Sequence, residues 1–261
     1  MRKFKYIYGP VASWRLGVSL GVDPVPGREK ACNFDCVYCQ LGNKKPFKGR
    51  RKEFVPVAGI VEEIRSLPRF KVDYMTFSGK GEPALASNLG KAIRSLKRYG
   101  KVAVLTNSAL LSDKKVRKEL GFADFVSAKM DADSQDSLEK INRPAKGISF
   151  QSILKGIKQF RKKFRGRFGL QVMFIRQNRG DYKKIADIAA DIRPDEIQIN
   201  TPLRPCGCAK PLQKKEITRI AAYFGRQPGF AGTKIITVYD GKRKKIKPLN
   251  LRDTLKRRGK L

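Results

Sequence analysis

The stretch Cys32-Asn33-Phe34-Asp35-Cys36-Val37-Tyr38-Cys39 decides how the rest of the chain is read. It holds three of the five cysteines among 261 residues, spaced C-x3-C-x2-C. Three thiolates on one short loop suit three corners of a cubane [4Fe–4S] cluster. The fourth iron is then left without a protein ligand, whereas ordinary clusters are closed by four cysteines. An open iron is a place where a small molecule binds and is reduced. Two blander readings stand beside this one. A structural zinc wants four ligands, commonly as two separated pairs. The chain has no histidine, so a fourth ligand would be Cys206 or Cys208. The other reading is a chance cluster of reduced thiols. The spacing favours the open cluster.

Outward from this loop, short β-branched runs alternate with amphipathic helical patterns, which predicts parallel βα units and an α/β fold. Strands are expected at Arg15–Val22, Val72–Ser78, Lys101–Thr106, Asp124–Met130, Arg167–Ile175 and Glu196–Asn200. Val57–Leu67 and Ser149–Phe164 carry apolar residues at helical spacing, and Asp181–Ile192 and Lys214–Phe224 complete the series. Ser112 reads as an N-cap. Six such units are too few to close an eight-stranded barrel. Residues 1–225 are expected to form the core, and 226–261 a basic C-terminal extension with a strand at Lys234–Tyr239.

The cysteine spacing, with the aromatic Tyr38 just before the last cysteine, resembles the signature of the radical S-adenosylmethionine (radical SAM) superfamily. The resemblance implies an open partial (β/α)6 barrel and an enzyme that binds SAM at the open iron. An electron from the cluster would break a C–S bond and give a 5′-deoxyadenosyl radical. It also implies an external electron donor such as flavodoxin or ferredoxin. Further segments, in the same order from about residue 6 to 225, look like the branch grouped with wyosine-base synthases of tRNA. They are Tyr8-Gly9-Pro10-Val11, Phe77-Ser78-Gly79-Lys80-Gly81-Glu82-Pro83, Ile141-Asn142-Arg143-Pro144 and Asn200-Thr201-Pro202-Leu203-Arg204-Pro205. The wyosine-base synthase carries an additional cysteine set for a second cluster; this chain has no cysteine before Cys32, and Trp14 stands where a basic residue is expected.

Barrel active sites form at the C-terminal mouths of the strands, and the candidate residues fall there. By resemblance, Gly79 and Gly81 would offer carbonyls to the SAM ammonium, with Glu82 nearby. Asn107 and Ser108 are candidates for its ribose or carboxylate. Lys129, a cation in an otherwise apolar strand, asks for a partner and suits the SAM carboxylate. Tyr38 would pack against adenine or simply within its loop. Cys206 and Cys208, just past the sixth strand, are candidate catalytic thiols for hydrogen-atom donation, group acceptance or redox pairing; inert loop thiols are the alternative.

Composition sets the partners. Lys and Arg total 58 against 23 Asp and Glu, a net charge of +35, and the excess is clumped. Residues 43–52 carry six basic side chains and no acidic one; 155–184 carry eleven against Asp181 alone; 242–261 carry ten against Asp253 alone. Such runs attract phosphate without sequence recognition, which points to nucleic acid, with tRNA first. A protein or peptide substrate, as for an activase, is the second reading. A non-enzymatic RNA-binding protein with a structural metal is the third. No run of 18 apolar residues is present, so no membrane span is expected, and the cysteine usage suits a reducing cytoplasm.

Overall fold

The computed structural model describes residues 4–42, 45–68, 71–204, 206, 209–240 and 246–258. One eight-stranded sheet organises them, in the spatial order β1 (Ile7–Ser13), β2 (Gly17–Val22), β3 (Tyr74–Phe77), β4 (Val102–Thr106), β5 (Phe125–Lys129), β6 (Arg167–Met173), β7 (Glu196–Asn200) and β8 (Lys234–Thr237). β1 pairs antiparallel with β2, and every later pair is parallel. Spatial order equals chain order, so each crossover steps the same way across the sheet. Right-handed crossovers of that kind put the crossover helices on one face and curl the sheet around the other. The result is the curled half-barrel of an α/β protein.

The helices are α1 (Val57–Arg65), α2 (Leu89–Leu96), α3 (Lys114–Leu120), α4 (Gln135–Asn142), α5 (Phe150–Lys163), α6 (Tyr182–Ile192), α7 (Lys214–Gly225) and α8 (Leu251–Arg258). α5 shows why they form. Ser149 caps it by accepting from the Ser152 N–H at 3.2 Å, and Phe150, Ile153, Ile157 and Phe160 recur on one buried face. Each such burial stabilises by about 1.5–3 kcal/mol. They meet Val126, Leu170, Val172 and Ile197 of the strands in the main core. None of the described helices is long and apolar enough to cross a membrane.

The alternate strand residues face the hollow of the sheet. Leu16, Ala103 and Phe125 form a small separate cluster there. Above it the wall is polar: Ser19 meets Thr76 at 2.7 Å, Ser127 Oγ donates to Gln198 at 2.9 Å, and Arg15 Nη1 donates to Gln171 at 2.7 Å. Burial lowers the Arg15 pKa to about 10.

All six expected parallel strands are present. Two strands flank them. β1 was not among the expectations, because Gly9-Pro10 reads as a turn; as an edge strand it tolerates proline. β8 lies within the expected Lys234–Tyr239 run and pairs with β7. The chain after residue 225 is tied to the core: Phe230 stacks on Phe224 at 5.5 Å, and Gly9 N–H donates to Thr254 Oγ1 of α8 at 3.1 Å. The expected Ser112 cap is displaced by one residue. Asp113 caps α3, accepting from the Lys115 N–H at 2.7 Å, because a carboxylate one position later reaches the free amide better.

Candidate active site

β2 ends at Val22, Asp23 stands just past it, and the cysteine loop follows. The chain fixes that loop from two sides. On one, Ala31 N–H donates to Lys80 O at 3.2 Å and Glu82 N–H to Ala31 O at 2.8 Å. On the other, the Val37 N–H reaches Ile141 O at 3.0 Å, Asp35 N–H reaches Asn142 O at 3.0 Å, and Ala145 N–H reaches Asn33 O at 2.9 Å. Phe34 bridges Pro144 in the same clamp. The expected Gly79–Glu82 turn and the Ile141–Pro144 segment are thus the two jaws holding the cysteines.

The glycines of the first jaw have a backbone reason. A Cβ on Gly81 would stand 1.7 Å from Ala31 O, and one on Gly79, at φ +150°, would stand 2.4 Å from Asp23 Cγ. The close approach they allow here is that of the chain itself. Glu82 is 2% exposed, and its carboxylate is engaged: Oε1 accepts from Thr106 Oγ1 at 2.6 Å and from Ala84 N–H at 3.0 Å, and Oε2 from Asn107 N–H at 2.7 Å. Burial raises its pKa, with those three donors working against the rise.

Asn107, at the mouth of β4, donates from Nδ2 to Asn33 Oδ1 at 2.7 Å and to Cys32 Sγ at 3.6 Å. Ser108 has φ 72°, is buried, and donates its hydroxyl to Lys129 O at 2.8 Å. Lys129 Nζ lies 4.8 Å from the centroid of the Tyr38 ring and 3.8 Å from Asp131 Oδ2. Tyr38 is 5% exposed and its hydroxyl donates to Asp131, so its ring packs within the loop's own support. Cys206 is half-buried after β7, with its thiol donating to Ala209 O at 3.3 Å. Cys208 lies outside the described residues.

Four residues that the sequence reading left without a role are central. Asp131 joins three elements: Oδ2 takes Tyr38 OH and Asn142 Nδ2, the latter at 2.8 Å, and Oδ1 takes Met173 N–H at 2.7 Å. Asn142 Nδ2 also lies 3.3 Å from Cys36 Sγ. Lys30 Nζ, on a side chain 3% exposed, pairs with Asp35 at 3.0 Å and lies 3.7 Å from Cys39 Sγ. Asp23 pairs with Arg257 Nε of α8 at 3.0 Å. Asn142 stood inside a quoted motif, yet nothing local marks which partners it meets.

The residues fit an iron–sulfur cluster. Burial pushes the Cys36 thiol up, with the Lys129 charge opposing; a coordinating thiol is deprotonated outright, which removes that cost. Asn33 Nδ2, next to Cys32 in the chain, is buried with no hydrogen-bond partner among the described residues. An orphaned buried donor costs about 1–3 kcal/mol, and cluster sulfur is an acceptor. Among the described residues no three His, Cys, Asp or Glu side chains close on one point as ligands of a single ion would. A cubane holds its thiolates apart, on separate corners.

Comparison with known proteins places the chain in a family. The model of the radical SAM superfamily matches residues 30–189, and the chain belongs to that superfamily. It is a radical SAM enzyme, and its cofactors are a [4Fe–4S] cluster and SAM, which sets aside the reading as a non-enzymatic binding protein. A UPF0026 protein of Synechocystis sp. is 43% identical over 215 residues, covering 81% of this chain and 79% of that protein. Among solved structures, Streptococcus suis SuiB bound to precursor peptide SuiA aligns with a TM-score of 0.62 at 14% identity, over 78% of this chain and 45% of that one. The chain therefore spans less than half of SuiB. TYW1 with a lysine-pyruvate adduct bound aligns with a TM-score of 0.61 at 17% identity, over 80% of this chain and 73% of that one. Likeness at these identities shows the fold alone.

Proposed function

We propose that this radical SAM enzyme modifies RNA, with tRNA the first candidate substrate. The carrying observation is a row of exposed cations around the mouth of the half-barrel. Arg143 and Lys146 follow the jaw that holds Cys36, Arg176 follows β6, Lys183 stands in the first turn of α6, and Lys210 and Lys214 follow β7. Beside them an open depression of about 900 Å³ runs along α7, with Tyr182 of α6 at its edge. Lys214, Lys215, Arg219 and Arg226 line it with Tyr182 and Tyr223, whose rings meet edge to face at 5.1 Å. Cations interleaved with aromatic rings suit phosphates and unstacked bases. The motifs shared with the wyosine-base synthase branch support the same reading.

When bound, the reduced cluster and SAM supply one-electron cleavage of a C–S bond and, from it, hydrogen-atom abstraction. The chain's part is to hold and orient. Cys32, Cys36 and Cys39 would ligate three irons. Gly79 and Gly81 would offer carbonyls to the SAM ammonium, and Lys129 would take its carboxylate, with Ser108 fixing the Lys129 backbone. Asn107, whose Nδ2 reaches Cys32 Sγ at 3.6 Å, would stand near the SAM ribose or carboxylate. The polar wall of Ser19, Thr76, Ser127 and Gln198 faces the substrate space. Cys206, which follows β7, and Cys208, two residues later in the sequence, are the candidate thiols for the second half of the reaction.

RNA binding measured against salt tests the substrate class. Each phosphate contact contributes about −0.7 to −0.9 to the slope of log affinity against log salt. A steep fall, weakened by reversing Lys214 and Arg219 to Glu, is expected. A flat response, with a protein retained from extract after nuclease treatment, would move the substrate to a polypeptide, the class SuiA represents for SuiB.

A further inference from the structure

We propose that Lys30, Asn107 and Asn142 set the midpoint potential of the cluster, each through an N–H aimed at a different cysteine sulfur. The inference rests on the assignment of the three cysteines to the cluster. Lys30 Nζ lies 3.7 Å from Cys39, Asn107 Nδ2 lies 3.6 Å from Cys32, and Asn142 Nδ2 lies 3.3 Å from Cys36. The three donors come from the cysteine loop, the mouth of β4 and the end of α4, so no single turn produces the set. Every thiolate receives one.

Each donor is also held from behind. Lys30 is tied to Asp35 at 3.0 Å. Asn107 is tied twice, through Nδ2 to Asn33 Oδ1 at 2.7 Å and through Oδ1 to the Ala109 N–H at 3.0 Å. Asn142 Nδ2 also reaches Tyr38 OH at 2.9 Å and Asp131 at 2.8 Å, so its two N–H bonds serve three acceptors and the one toward Cys36 is shared. Side chains fixed this way keep their direction without further ordering. These are positioning residues: they act on the metal through its ligands.

Reduction adds one negative charge to the cluster. An N–H on a sulfur stabilises the reduced form more than the oxidised one, so each donor raises the potential. Lys30 carries a full charge on a buried side chain, where screening by water is weak. Its contribution is the largest of the three. The amides contribute less, as neutral donors.

The test is a redox titration of the anaerobically reconstituted protein without SAM, followed by electron paramagnetic resonance, so that turnover is not involved. Lys30→Met is expected to cut the reduced-to-oxidised ratio at fixed potential about tenfold, a downward shift of ~59 mV for one electron. Lys30→Arg restores the wild-type value, and Asn142→Ser shifts it the same way by less. The double variant Lys30→Met with Asp35→Asn also removes the negative charge beside Lys30, which raises the potential, so it is expected to fall between Lys30→Met and the wild type. A loaded Lys30→Met that titrates at the wild-type potential, or a loaded Asn142→Ser that does so where Lys30→Met loads poorly, overturns the proposal alone. A wild-type chain that takes up no iron and sulfide removes the cluster assignment, and the proposal with it.

Discussion

Asn142 Nδ2 stands 3.3 Å from Cys36 Sγ, although 106 residues separate the two in the chain. The same amide holds Tyr38 OH and Asp131 Oδ2. The cysteine loop is therefore shaped by the far end of α4 as much as by its own sequence. Asn142→Ala is expected to cost about 1–3 kcal/mol, because it strands buried polar partners, and to lower iron bound per chain on reconstitution. Thermal unfolding and iron analysis check this. Wild-type values in both would show that the amide supports nothing.

The other jaw makes a sharper prediction. At Gly81 a Cβ would sit 1.7 Å from a backbone oxygen of Ala31, which cannot swing aside as a side chain can. Gly81→Ala is expected to cost at least the 1–3 kcal/mol of ordinary overpacking, about 2 kcal/mol as a working figure, and to weaken cluster retention. Gly180→Ala, where nothing lies within 4 Å, serves as the control. Equal unfolding temperatures for the two variants would contradict the clamp.

α8 is tied to the barrel mouth by the buried pair of Arg257 and Asp23. Arg257→Met is expected to cost about 3–5 kcal/mol, the usual result of leaving one buried charge alone. The cost should depend on pH. Burial raises the Asp23 pKa above its ordinary 3.8, and Arg257 works against that rise. Without Arg257 the folded pKa climbs further. Above the unfolded value the folded state then holds a proton that the unfolded state has released, so stability falls with rising pH over a wider interval. The deficit of the variant should grow as pH rises above the ordinary 3.8 toward neutrality. Denaturant melts at both ends test it, and a deficit that is equal or shrinks would contradict the assignment.

Cys206 separates the open cluster from a four-ligand metal site. Three thiolates suffice for the open cluster, so Cys206→Ala is expected to bind the same iron as the wild type. Replacing Cys32, Cys36 or Cys39 by Ala should abolish loading. Loss of metal in Cys206→Ala would return this residue to the ligand set.

Much of the architecture was legible in the residues. Val102–Thr106, Phe125–Lys129 and Glu196–Asn200 are short apolar or alternating runs bounded by helical patterns, and they appear as β4, β5 and β7. Ile7–Ser13 was not, since Gly9-Pro10 carries a turn signal that only an edge position overrides. The cluster cysteines are visible because their spacing is local. Lys30, Asp131 and Asn142 are not, because their importance lies in partners brought together only by the folded sheet. Glu82 was legible as a site residue, yet its carboxylate is spent on Thr106 and Asn107. A sequence shows that an acid follows two glycines, and the fold decides what it touches.

The most direct test of the account is anaerobic reconstitution with iron and sulfide, followed by SAM and dithionite, with 5′-deoxyadenosine measured as product. The account predicts that product forms with the wild-type chain and with Cys206→Ala, and is absent from Cys36→Ala. A wild-type chain that binds zinc in place of iron and leaves SAM intact would contradict it.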